Sequence, residues 1–91
     1  MKVQMMGARL DNASLCRVDA SNAMMHGVRA RGACLDDAVF DGADMSSMDL
    51  TGAFLRRAHL RGVNLSRASL QNAQLEGADL SRADLIYAQF E

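Results

Sequence analysis

Apolar and polar positions recur along this chain with a period of five. From Ala8 to Ala88 every fifth residue is Ala, Val or Met. From Leu10 to Phe90 every fifth residue is again apolar, and usually large. Val3 and Met5 extend both series toward the start. The seven glycines, at 7, 27, 32, 42, 52, 62 and 77, share one phase, two residues after the large apolar position. On a helix five residues advance by about 500°, which would wind the apolar stripe around every face. On a flat strand an odd period flips the side chain to the other face each time. The chain must therefore turn once per repeat: a short extended stretch with two inward residues, then a corner. Gly at the second corner position supplies the positive φ of a type II turn, and Asn12, Asn22 and Asn72 are the next-best residues there. Arg17, Asp37, Ser47, Arg57, Arg67, Arg82 and Tyr87 occupy the same phase, and another turn type is expected at those corners.

Units such as Ala78-Asp79-Leu80-Ser81-Arg82 and Ala43-Asp44-Met45-Ser46-Ser47 resemble the A-[D/N]-L-x-x consensus of the pentapeptide-repeat family. The resemblance covers residues 3–91, expected as a single domain preceded by a two-residue start. It implies an all-β fold, a right-handed quadrilateral β-helix with four repeats, or 20 residues, per coil. About 4.5 coils at the ~4.8 Å strand spacing give a narrow rod roughly 22 Å long, without a cavity.

Four columns of large residues then fill the interior. The expected core is Leu10, Leu15, Leu35, Phe40, Leu50, Leu55, Leu60, Leu65, Leu70, Leu75, Leu80 and Leu85, with Gly27, Gly32, Gly42, Gly52, Gly62 and Gly77 at corners. A filled core leaves no pocket for a substrate, and catalysis is not expected. No cofactor or metal is expected either. His26 and His59 fall on different faces without a Cys or Glu at ligand spacing, and His59 beside Asp79 reads as a weak surface pair. Cys16 and Cys34 fall in different outward phases of one face, with backbones about 8 Å apart, too far for easy bridging. Plain surface cysteines are expected.

Charge is banded. Asp36, Asp37, Asp41, Asp44 and Asp49 form an acidic belt, followed by a basic belt of Arg56, Arg57, Arg61 and Arg67, in a chain of net charge −1. Residues 20 apart should be vertical neighbours, giving ladders such as Asp36–Arg56–Glu76, Arg17–Asp37–Arg57 and Asp41–Arg61, each pair worth ~0–1 kcal/mol. A basic belt without interleaved aromatics is a poor reader of nucleic acid. No apolar run is long enough for a membrane span, and the start shows no secretory pattern. A cytoplasmic setting is the expectation.

Ile86 and Tyr87, beside Phe90, put apolar groups at outward phases of the last coil, and Met6 does so near the start. The expected function is a non-catalytic interaction or structural scaffold, a rigid rod associating with a second copy or an unidentified protein partner through a coil end. The alternative comes from the resemblance: some family members imitate duplex DNA and engage type II topoisomerases such as DNA gyrase. Mimicry needs negative potential over many ångströms, which this banded surface interrupts.

Overall fold

The computed structural model describes residues 4–91; Met1, Lys2 and Val3, the last counted within the repeat, lie outside it. Each repeat contributes one bridging residue followed by a two-residue turn. All recorded bridges are parallel and join residues 20 apart, from Gln4 to Met24 through Ser69 to Gln89. The strands are thus single bridging residues, not extended ladders. The molecule measures 33 × 27 × 22 Å, a squat column where the sequence suggested a narrow rod.

The repeat unit accounts for its backbone donors one by one, as buried peptide groups require. In the repeat around Leu35, Leu35 N–H donates to the Phe54 carbonyl of the next coil at 2.7 Å, and Asp37 N–H to the Arg56 carbonyl at 2.9 Å. Cys34 N–H donates back to the Ala13 carbonyl at 2.9 Å, and Ala38 N–H closes the corner onto the Leu35 carbonyl at 3.2 Å. That leaves the N–H of the first corner residue, which points outward. Carboxylates and amides take it up in two ways. Asp44 Oδ1 accepts from Ser46 N–H at 3.0 Å and from its hydroxyl at 2.6 Å; Asp19, Asp49 and Asn64 do the same for Ser21, Thr51 and Ser66. Asp36, Asp41 and Asp11 instead reach residues 20 further on, the N–H groups of Arg56, Arg61 and Arg31. The preference for Asp or Asn before the large residue is therefore an Asx-turn requirement of the corner.

The corners differ from expectation. The seven that carry Arg, Asp, Ser or Tyr were assigned another turn type, yet all have positive φ. Across the ten non-glycine corners φ runs from 57° at Ser47 to 65° at Arg17. Where a coil follows, the N–H at this position meets one of its carbonyls, as Arg17 meets Asp36 at 2.9 Å and Arg57 meets Glu76 at 2.8 Å; Arg82 and Tyr87 in the last coil keep the same turn without that bond. The cost, about 1–2 kcal/mol per residue, is offset by that hydrogen bond and by closure of the core. At Gly52 a Cβ would meet nothing within 4 Å, so only its φ of 69° favours glycine.

The fully buried apolar residues all lie between Ala20 and Leu70, with Phe40, Met45, Leu35, Leu50 and Leu60 at 0% exposure. Leu10, Leu15, Leu75 and Leu80 are partly buried and pack against this cluster. Leu85, assigned to the core by its phase, is 36% exposed, because its coil has a neighbour on one side only.

Candidate functional site

With the interior filled, function must lie on the exterior, where the coil lattice decides which side chains meet. Two relations recur. Residues 20 apart stack vertically: Arg56 grips Asp36 through Nη2 to Oδ2 at 2.6 Å and Nε to both oxygens at 3.2 and 3.1 Å. Arg57 takes Asp37 with two bonds of 2.9 Å, and Arg61 reaches Asp41 at 3.2 Å. Residues 18 apart meet diagonally, because the first corner residue of one coil leans over the bridging residue of the next. Asp11 meets Arg29 at 3.6 Å, Arg31 meets Asp49 at 3.4 Å, Arg61 meets Asp79 at 3.8 Å and Gln71 meets Gln89 at 3.4 Å in this way. Three of the expected vertical pairs form, Asp36–Arg56, Asp37–Arg57 and Asp41–Arg61; among the described residues Arg17–Asp37 and Arg56–Glu76 make no ion pair, and the diagonal was missed.

That omission explains the error on the cysteines. Cys16 and Cys34 are 18 apart and occupy the same diagonal, with Cα atoms 5.5 Å apart, and they form a disulfide. The expected separation of about 8 Å treated the two outward phases as different columns, whereas the corner brings them within bridging range. The bond ties the first coil to the second.

The belts neutralise one another locally. Hydrogen bonding from the Arg56 side chain holds the Asp36 carboxyl below its usual range, and Arg57 does the same for Asp37. Asp44 is lowered chiefly by the Ser46 hydroxyl. The Arg56 guanidinium also lies 5.5 Å from the centroid of the Phe54 ring, a cation–π contact. Among the described residues Arg67, the last member of the basic belt, makes no ion pair. Two depressions mark the outer wall, one lined by Arg61, Gly62, Ser81 and Arg82, the other by Arg57, Ala58, His59, Arg61, Gly77 and Asp79. His59 faces the second, beside the bridged Asp79. Among the described residues no group of three or more His, Cys, Asp or Glu is placed to hold a metal ion, and no helix is long and apolar enough to cross a membrane.

The candidate docking residues cluster at the C-terminal coil. Ile86 is 62% exposed, Tyr87 77% and Phe90 46%, around the partly uncovered Leu85. Ladder bonding reaches this coil through pairs such as Leu70 N–H to the Gln89 carbonyl and Gln89 N–H to the Ala68 carbonyl.

A sequence profile described as Pentapeptide repeats matches residues 4–42, 38–73 and 64–91. The chain belongs to the pentapeptide repeat family. Its solved neighbours agree. The pentapeptide repeat protein Rfr23 of the cyanobacterium Cyanothece superposes with TM-score 0.95 at 28% identity, over 97% of this chain and 60% of that one. A pentapeptide repeat protein of the Arabidopsis thaliana thylakoid lumen gives TM-score 0.73 at 28% identity, over 96% of this chain and 63% of that one. HetL of the cyanobacterium Nostoc, involved in heterocyst differentiation regulation, gives 0.50 at 30% identity, over 93% of this chain and 46% of that one. The chain thus spans about three fifths of the first two. No curated protein matches it. Proteins of this family are right-handed quadrilateral β-helices and generally serve as non-catalytic structural or interaction modules.

Proposed function

We propose that this pentapeptide repeat protein is a non-catalytic scaffold, a rigid column of about 4.5 coils that associates with a second copy of itself through the C-terminal coil. The observation that carries the reading is the exposure of Ile86, Tyr87 and Phe90 on one coil face, while the middle of the column buries its apolar groups completely. An uncovered coil also presents N–H and carbonyl groups that pair naturally with another coil, so a second copy satisfies both the apolar and the hydrogen-bonding demand. The filled interior supports a non-catalytic role. The topoisomerase-mimic reading gains nothing from the surface, because Asp36, Asp37 and Asp41 are neutralised by Arg56, Arg57 and Arg61.

The setting is part of the same proposal. A structural disulfide persists in oxidising compartments and is rare in the cytosol, so the Cys16–Cys34 bond favours an oxidising location over the cytoplasmic one expected from sequence. The test of association is sedimentation of Ile86→Asp with Tyr87→Ser beside the parent. The parent is expected as a dimer and the variant as a monomer; a parent that sediments as a monomer at tens of micromolar rejects the reading.

A further inference from the structure

Of the outward side chains near the start of the column, Met6, Met24 and His26 are left without a role by the charge ladders, and they share one lattice cell. Met6 and Met24 are 18 apart, the diagonal relation that places the two cysteine Cα atoms 5.5 Å apart. Met6 and His26 are 20 apart, the vertical relation, roughly 4.8 Å between backbones; register on this face is fixed by Met5 N–H to the Met24 carbonyl at 2.9 Å and Gly7 N–H to the His26 carbonyl at 3.1 Å. The next face around the column shows what such a cell permits. There Asp11 stands where Met6 stands, and it touches both its diagonal neighbour, the Arg29 guanidinium at 3.6 Å, and its vertical neighbour, the Arg31 N–H at 3.0 Å. A side chain at position 6 therefore lies within reach of the side chain at 24 and of the backbone at 26.

The imidazole is also oriented. His26 Nδ1 lies 2.8 Å from Ser46 Oγ. The Ser46 hydroxyl donates its proton to Asp44 Oδ1 at 2.6 Å, so its oxygen accepts from Nδ1–H, which leaves the lone pair of the neutral ring on Nε2. A histidine fixed through one nitrogen and open at the other is the arrangement of a metal ligand with its supporting shell. Met6 is 57% exposed, and thioethers need no deprotonation to bind. Both cysteines are consumed by the disulfide, so thioethers are the soft donors this face offers.

We propose that Met6 Sδ, Met24 Sδ and His26 Nε2 form a surface site for a soft monovalent cation, Cu(I) or its redox-inert analogue Ag(I). Thioether sulfur with imidazole nitrogen favours such ions, and three donors from two stacked corner residues and one bridging residue suit a low-coordinate site. The binding is simple ligation, without electron or proton transfer. The site stands independently of the C-terminal docking surface.

The experiment is titration of the oxidised protein with silver nitrate in chloride-free buffer, followed by NMR of the methionine ε-methyl groups and the histidine ring. The ε-methyl signals of Met6 and Met24 and the Nε2 signal of His26 are expected to shift together and saturate at one equivalent, with buried Met25, Met45 and Met48 unmoved. Met6→Leu, Met24→Leu and His26→Gln are each expected to weaken silver binding at least tenfold, with circular dichroism unchanged. Unmoved signals at the three residues, shifts confined to other methionines, or equal affinity in the triple variant would each overturn the proposal. The wild-type spectra decide it even if a variant folds poorly.

Discussion

The middle of the column and its two ends are built from the same repeat, yet they are held in different ways. Between Ala20 and Leu70 every inward residue is buried, because each coil has neighbours on both sides. At the first coil Met5, Leu10 and Leu15 are only partly covered, and the Cys16–Cys34 bond adds a covalent tie where packing is thin. At the last coil Leu85 and Phe90 are 36% and 46% exposed, with no such tie. Solenoid stability is close to a sum of repeat and nearest-neighbour terms, so an end coil lacks one of its two interfaces. One end is tied covalently; the other is not.

The largest effect comes from breaking the register itself. One residue inserted between Ser47 and Met48 puts every later side chain out of phase, so inward leucines turn outward. Loss of the cooperative melt and of much of the β circular dichroism is expected; an unchanged melt would deny the stacked register. Next in size is a leucine comparison. Leu55→Ala removes a side chain that is 1% exposed and should cost about 2–5 kcal/mol in denaturant unfolding. Leu85→Ala at the half-covered end should cost under about 1.5 kcal/mol. Equal costs would erase the distinction between middle and end.

The disulfide comes third. Reduction, or Cys16→Ser with Cys34→Ser, should cost about 2–4 kcal/mol, and the loss should be local. Amide exchange should accelerate at Leu10 and Leu15 while Leu50 and Leu55 keep their protection. Uniform acceleration would show that the bond supports the whole column instead of its first coil. The mildest probe is acid. Asp19 and Asp44 have carboxyls lowered first by the side-chain hydroxyls of Ser21 and Ser46, and Asp36 by the Arg56 side chain. A carboxyl lowered in the fold stabilises above its unfolded value and loses that contribution as the pH falls through its folded value. The melting temperature should therefore hold from neutrality to about pH 4 and decline below it. A melting temperature that rises in that window would contradict the hydrogen-bond assignment.

The apolar series and the glycine phase made the stacking legible, since each inward position repeats along the whole chain and a slip would expose all of them. The seven corners that carry Arg, Asp, Ser or Tyr were misread because residue preference was weighed alone; Arg57 and Ser47 accept positive φ because the next coil captures their N–H groups. Cys16 and Cys34 were misread for a related reason. Phase assigns a residue to a column, but a corner tilts its side chain across columns, and that tilt is set by three-dimensional closure. The role of Asp44 as an acceptor for its own corner was hidden in plain composition, although Asp or Asn two residues before Ser or Thr was there to be read. The exposure of Ile86 and Tyr87 was legible, since an outward phase needs no coordinates to recognise, whereas Phe90 keeps the inward phase and is exposed only because its coil is covered on one side. The cell of Met6, Met24 and His26 was not, because it depends on the same unseen diagonal.

The diagonal lattice is the claim on which the disulfide and the soft-metal site both stand, and it can be tested away from either. In a Cys16→Ser, Cys34→Ser background, Thr51→Cys with Ser69→Cys places a new thiol pair on an equivalent diagonal. Under mild oxidation, mass spectrometry should show an intramolecular disulfide in nearly every chain, with the circular dichroism of the parent. Two thiols that stay free in the folded monomer would contradict the lattice.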